Sequence, residues 1–102
     1  MNMMNPKPER MSDAEEKRKR KYVAALGCLV CGQLSQAHHM LRAPGKGMGI
    51  KADGRWLLPL CPTHHRGLHL SGNETKYLQG FGIDGAVEAV RIQQEWERAN
   101  GR

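Results

Sequence analysis

All three cysteines and all five histidines of this chain fall between Cys28 and His69, as Cys28-Leu-Val-Cys31, His38-His39, Cys61-Pro-Thr-His64-His65 and His69. Thiolates and imidazoles are the side chains that hold transition metals and move protons near neutral pH. Eight of them exceed what one tetrahedral ion accepts. They divide into a closed four-ligand set and a second, open set made of imidazoles alone. That division constrains the fold more than any hydrophobic pattern, because the chain has 102 residues and only one Phe, two Trp and two Tyr. A chain this short buries a small core, and a structural metal is the expected staple. Three cysteines cannot close an all-disulfide framework, and the CxxC spacing points to thiolate ligation in a reducing compartment.

The closed set is Cys28, Cys31, Cys61 and His64. In the first pair, two intervening residues let a tight turn aim both thiolates at one ion. In the second, residues i and i+3 share a helix face. Three thiolates and one neutral imidazole leave no open position on Zn²⁺, so this ion is expected to be structural. Such sites supply about 10 kcal/mol or more of folding free energy in small peptides.

The surrounding pattern predicts an α+β chain. Residues 1–11 show no period and are expected to be disordered, with residues 12–102 a single domain whose motif core is 28–70. Ser12 followed by Glu15 forms a capping box for a helix running to about Leu26, with Gly27 as its C-cap glycine. Its apolar residues Tyr22, Val23, Ala25 and Leu26 lie only in the last turns, so its basic half is expected to project into solvent. A knuckle at 28–32 leads to strands at about 37–42 and 56–60. Glycines and prolines crowd the stretch 43–55 between them, which predicts a mobile loop. Pro62 starts a helix to about Leu70, a short helix covers Glu74 to Gln79, and Asp84 caps a last helix to about Ala99. Ala89, Ile92, Trp96 and Ala99 give that last helix one apolar stripe, read as core cover. No apolar run approaches membrane-spanning length and residues 1–21 lack a signal-peptide stretch, so the expected location is cytoplasmic.

The second set follows from helix geometry. Successive helical residues turn by about 100°. Cys61 and His64 then face one direction, and His65 and His69 another, about a quarter turn away. One helix can therefore hand ligands to two ions. The third ligand of the open site must be His38 or His39, and the remaining histidine is the candidate general base. Three neutral imidazoles leave a cation its full charge and free positions for water and a phosphate oxygen, which suits Lewis-acid catalysis. Taken singly, His38-His39 reads better as a surface pair and His69 as a solvated helix residue. Their register with the thiolate set favours the catalytic reading.

The segment from Cys28 to Leu70 resembles the HNH, or ββα-metal, endonucleases. The doubled histidine with a His-x3-His helix is similar to the colicin-type DNases. The string Ala37-His38-His39 to Pro59-Leu60-Cys61-Pro-Thr-His64-His65 and the zinc half resemble the phage recombination-enhancement (Ref-like) nucleases. The resemblance implies a zinc-stapled ββα core with flanking N- and C-terminal helices. By position it implies that His38, His65 and His69 ligate a catalytic divalent cation, commonly Mg²⁺ or Mn²⁺, and that His39 is the general base. Water held near His39 would attack a DNA phosphodiester, leaving a 5′ phosphate and a 3′ hydroxyl. The implied setting is a phage or prophage protein, with a recombinase filament or another phage protein as partner. One departure stands: the central Asn of many HNH motifs falls near Trp56, and Asp53 is the residue left to orient the hairpin.

The net charge of +6 fits a polyanion partner. Arg42, Lys46, Lys51, Arg55 and Arg66 lie in or beside the motif, and Lys17, Arg18, Lys19, Arg20 and Lys21 form a second strip. Nothing resembles a base-reading module, so binding through the DNA backbone with weak sequence preference and steep salt dependence is expected. The alternative is a non-catalytic zinc module that binds nucleic acid, for which a histidine beyond the ligands has no use.

Overall fold

The structure is a computed structural model that describes residues 11–41 and 54–100. Arg42, Lys46, Lys51, Asp53 and most of the 43–55 stretch lie outside the described residues, as does the expected disordered start except for Met11, which is buried. The elements run α1 (Asp13–Ala24), β1 (Gln36–His39), β2 (Leu57–Leu60), α2 (Pro62–Ser71), α3 (Glu74–Gln79) and α4 (Gly85–Ala99). The result is a small α+β unit with one two-stranded sheet. Among the described residues, no helix is long and apolar enough to cross a membrane.

Helix α1 starts as expected, with the Ser12 hydroxyl accepting the Glu15 N–H at 3.1 Å and Asp13, Glu15 and Glu16 in the positive first turn. It ends earlier than expected, at Ala24, and Leu26 is exposed. Its basic half projects into solvent at Lys17, Arg18, Arg20 and Lys21 but not at Lys19. Glu15, Lys19 and Val23, four residues apart, form a buried stripe along the helix. Lys19 has no exposed surface; its Nζ donates to the Gly54 carbonyl at 2.8 Å and to Gln93 Oε1 of α4. The Trp96 indole N–H donates to Glu15 Oε2 at 2.9 Å. The helix docks on α4 through polar heads on apolar stems. A run of basic residues conceals this, because each buried head is satisfied by a partner distant in sequence.

Strands β1 and β2 pair antiparallel, with His38 opposite Leu58 and His39 opposite Leu57. All four residues of β2 are buried, and the strand packs against α1, α2 and α4. Pro59 has no N–H to give, but its carbonyl accepts the Leu29 N–H at 3.0 Å, which docks the Cys28 turn onto β2. Leu57, Leu58 and Leu60 join Val23, Met40, Leu68, Leu78, Ala89 and Ile92 in one core cluster. Ala89, Ile92 and Trp96 bury the expected α4 stripe, while Ala99 at its end is exposed. Helix α2 stops at Gly72, whose φ of 75° is the left-handed conformation of a C-cap. Helix α3 then folds back on α2, where Gly67 leaves room for the Tyr77 ring.

Candidate metal centres

The first centre is built by local geometry. The Cys28 turn closes with the Gly32 N–H donating to the Cys28 carbonyl at 2.8 Å, and Gly32 takes a φ of 77°. Cys61 is the N-cap of α2, with Pro62 as the first helical residue. Its Sγ accepts the His64 N–H at 3.5 Å, and His64 follows one turn later. The four donor atoms of Cys28, Cys31, Cys61 and His64 all lie within 4.8 Å of one another. Cys31 Sγ and Cys61 Sγ are 3.8 Å apart; His64 Nδ1 is 3.2 Å from Cys61 Sγ and 3.7 Å from Cys28 Sγ. Zn–S bonds of about 2.3 Å in a tetrahedron give S···S edges of about 3.8 Å. The donor set therefore fits a metal such as zinc.

The surroundings push the thiols in opposite directions. Burial raises the Cys28 thiol, but the Cys61, Cys31 and Val30 backbone groups and His64 outweigh it and bring the pKa from 9.0 down to about 6. At Cys31 the Gln33 backbone favours the thiolate, but desolvation and the neighbouring Cys61 and Cys28 sulfurs prevail, so its thiol is raised above 9.0. Adjacent thiolates resist one another, and a bound dication relieves that opposition.

The second centre joins β1 to α2. Donor atoms of His38, His65 and His69 lie within 4.8 Å of one another. His38 Nδ1 is 3.1 Å from His65 Nε2, and the His69 ring centroid is 4.9 Å from that of His65 and 5.6 Å from that of His38. The outer nitrogens are engaged. His38 Nε2 meets Glu74 Oε1 at 2.9 Å in a pair almost wholly buried, and His65 Nδ1 meets Gln36 Oε1 at 2.9 Å. An ionised Glu74 carboxylate only accepts, so it places a proton on His38 Nε2. The inner nitrogens, His38 Nδ1 and His65 Nε2, lie 3.1 Å apart. With each ring neutral and protonated on its outer nitrogen, the inner pair are two acceptors, which a cation between them reconciles. Nitrogens about 2.1 Å from a shared ion lie about 3.0 Å apart at right angles and about 3.4 Å apart at a tetrahedral angle. Desolvation, with His38 and His69 nearby, lowers His65 below its ordinary 6.5, which keeps the ring neutral and able to ligate.

His39 is not in this trio. The strand alternates its side chains between faces, and His39 turns towards α1, where its Nε2 meets Glu16 Oε2 at 2.7 Å. Glu16 also accepts from Arg20 at 3.2 Å. A proton on Nε2 leaves the Nδ1 lone pair of the half-exposed His39 ring unoccupied by this bond.

Of the basic residues expected on a nucleic-acid surface, Lys17, Arg18, Arg20, Lys21, Arg55 and Arg66 are exposed. Lys19 is withdrawn from that set by its burial between Gly54 and Gln93. Glu74, Gln36 and Glu16 were missed by sequence reasoning. Each lies far in sequence from the histidine it meets, and an acid in a helix first turn, as Glu74 and Glu16 are, reads as an ordinary dipole partner.

Comparison with known proteins adds one relative and one family. The chain is 38% identical over 63 residues to the "Uncharacterized protein YdfU" of Escherichia coli (strain K12), a stretch that is 61% of this chain and 18% of the relative. The chain thus spans under a fifth of that protein's length. No solved structure matches. The family described as "Protein of unknown function (DUF968)" matches residues 1–98, nearly the whole chain, and the chain belongs to that family.

Proposed function

We propose that this chain is a metal-dependent endonuclease of the HNH, or ββα-metal, type, which hydrolyses DNA phosphodiester bonds with little sequence specificity. The observation that carries the reading is the convergence of His38, His65 and His69, whose donor atoms all lie within 4.8 Å of one another. The order β1, β2, α2 supports it, since one hairpin and one helix supply all three histidines.

His38, His65 and His69 would hold a divalent cation, which would supply Lewis-acid stabilisation of phosphate oxygens. The chain does the rest. Glu16 orients His39 through Nε2, and Nδ1 takes a proton from the attacking water. Arg66 on α2 and Lys17, Arg18 and Lys21 on α1 contact backbone phosphates. The Cys28, Cys31, Cys61 and His64 set keeps α2 fixed against β2. A phage or prophage setting, with a recombinase filament as partner, goes with this reading.

A second reading is a non-catalytic zinc module that binds nucleic acid. The turn of His39 away from the trio favours it. Plasmid nicking with added Mg²⁺ or Mn²⁺ separates the two. His39→Ala and His65→Ala are each expected to lower the nicking rate by about 100-fold or more. Equal nicking by wild type and His39→Ala removes His39 as the base. No cleavage of supercoiled, linear or single-stranded DNA by the wild type decides for the binding module.

A further inference from the structure

The side chain of Glu74 is more deeply buried than a helix-start acid needs to be. Its relative exposure is 1%, against 2% for the His38 side chain it meets. Burying a carboxylate is costly unless its oxygens are used. Oε1 receives His38 Nε2 at 2.9 Å, and the Leu41 N–H approaches Oε1 at 2.9 Å and Oε2 at 3.2 Å. One carboxylate thus touches the imidazole on β1 and the backbone two residues after that strand ends. The placement is itself over-determined. Asn73 caps α3 through the Lys76 N–H at 3.0 Å, and the Tyr77 ring packs over Gly67 of α2. The short helix therefore holds Glu74 in register with the helix that carries His65 and His69.

We propose that Glu74 is the positioning carboxylate of the second centre: it sets the His38 proton on Nε2 and so turns the Nδ1 lone pair towards a divalent cation shared with His65 and His69. This rests on the reading of those three histidines as a metal site. A carboxylate behind a ligating imidazole fixes its tautomer and raises its basicity, and losing one weakens metal binding by about 10- to 100-fold.

The test uses the full chain loaded with zinc, titrated with Co²⁺ by calorimetry, with the cobalt spectrum showing ligation free of thiolate. Glu74→Gln keeps the shape and removes the charge. It is expected to weaken Co²⁺ binding at the histidines by about 10- to 100-fold while zinc content and melting temperature stay near wild type. Long-range nitrogen NMR of the His38 ring, at a pH where imidazole is neutral, is expected to show the Nε2–H tautomer in the wild type. If the wild type takes up no Co²⁺, or His65→Ala binds it unchanged, the metal site falls and Glu74's role with it. If His65→Ala abolishes binding but Glu74→Gln binds as wild type does, the Glu74 role alone is overturned. Should the variant not fold, the wild-type ring still decides: a proton on Nδ1 of His38 overturns the proposal.

Discussion

The two candidate metal centres hang from the same helix, α2, yet they are built in opposite ways. In the thiolate set, neighbours in sequence do the aiming. Cys28 and Cys31 share one turn, and Cys61 and His64 share the first turn of α2. In the histidine set, the aiming is done from a distance. His38 is oriented by Glu74, thirty-six positions along the chain, and His65 by Gln36, twenty-nine positions before it. The difference teaches that a four-donor site spelled by local spacing can organise the fold, whereas an open site needs the fold to be in place before its donors converge.

The sharpest way to break this comparison is to remove a donor from each centre. Cys61→Ser is expected to abolish the cooperative thermal transition seen by circular dichroism. A structural zinc contributes about 10 kcal/mol, comparable to the entire stability of a small domain. An unchanged melting curve would show that the fold does not depend on the thiolate centre. His65→Ala, by contrast, is expected to leave that transition close to wild type, since its ring is partly exposed and its loss leaves the Cys28, Cys31, Cys61 and His64 set intact.

Acid gives a smaller contrast. Burial and the neighbouring imidazoles hold His65 below 6.5, so the ring is still neutral at that pH and protons displace a cation from it only below. In zinc-free protein the Cys28 thiol, lowered from 9.0 to about 6, is ionised at neutral pH and takes up its proton as the pH falls through about 6. Ring NMR and thiolate ultraviolet absorbance follow the two. A His65 midpoint above 6.5, or a Cys28 midpoint near 9.0, breaks the assignment of their surroundings.

The smallest effect belongs to Gln36. Its amide oxygen orients His65 near the surface, without the charge or burial of Glu74. Gln36→Ala is expected to weaken cation binding at the histidines by about 10-fold, the low end of what such partners contribute, with no change at the thiolate set. A loss as large as that of Glu74→Gln would mean that burial does not rank the two partners.

Much of the fold was legible because it is written in short-range chemistry. Ser12, Pro62 and Asp84 mark helix starts through side chains that cap, or a ring that cannot donate. The bounds of α3 match those expected, and the buried stripe of α4 follows from helical spacing. The fate of α1 was not legible. Lys19 sits in the middle of a basic run, and only its bonds to Gly54 and Gln93 distinguish it from the exposed Lys17 and Lys21. The same blindness hid Glu74.

The sequence alone determined which atoms can ligate and how they divide, because spacings of three and four residues fix direction within a turn or a helix. It also settled the order of the elements that carry them. Only the tertiary structure decided that His38 joins His65 and His69 while His39 turns to Glu16 on the other face. Only it withdrew Lys19 from the surface and put Glu74 behind His38. The physical reason is range. Caps and metal-ligand spacings act over a few residues, whereas the partner of a buried polar group is chosen by packing, and nothing in the adjacent sequence names it.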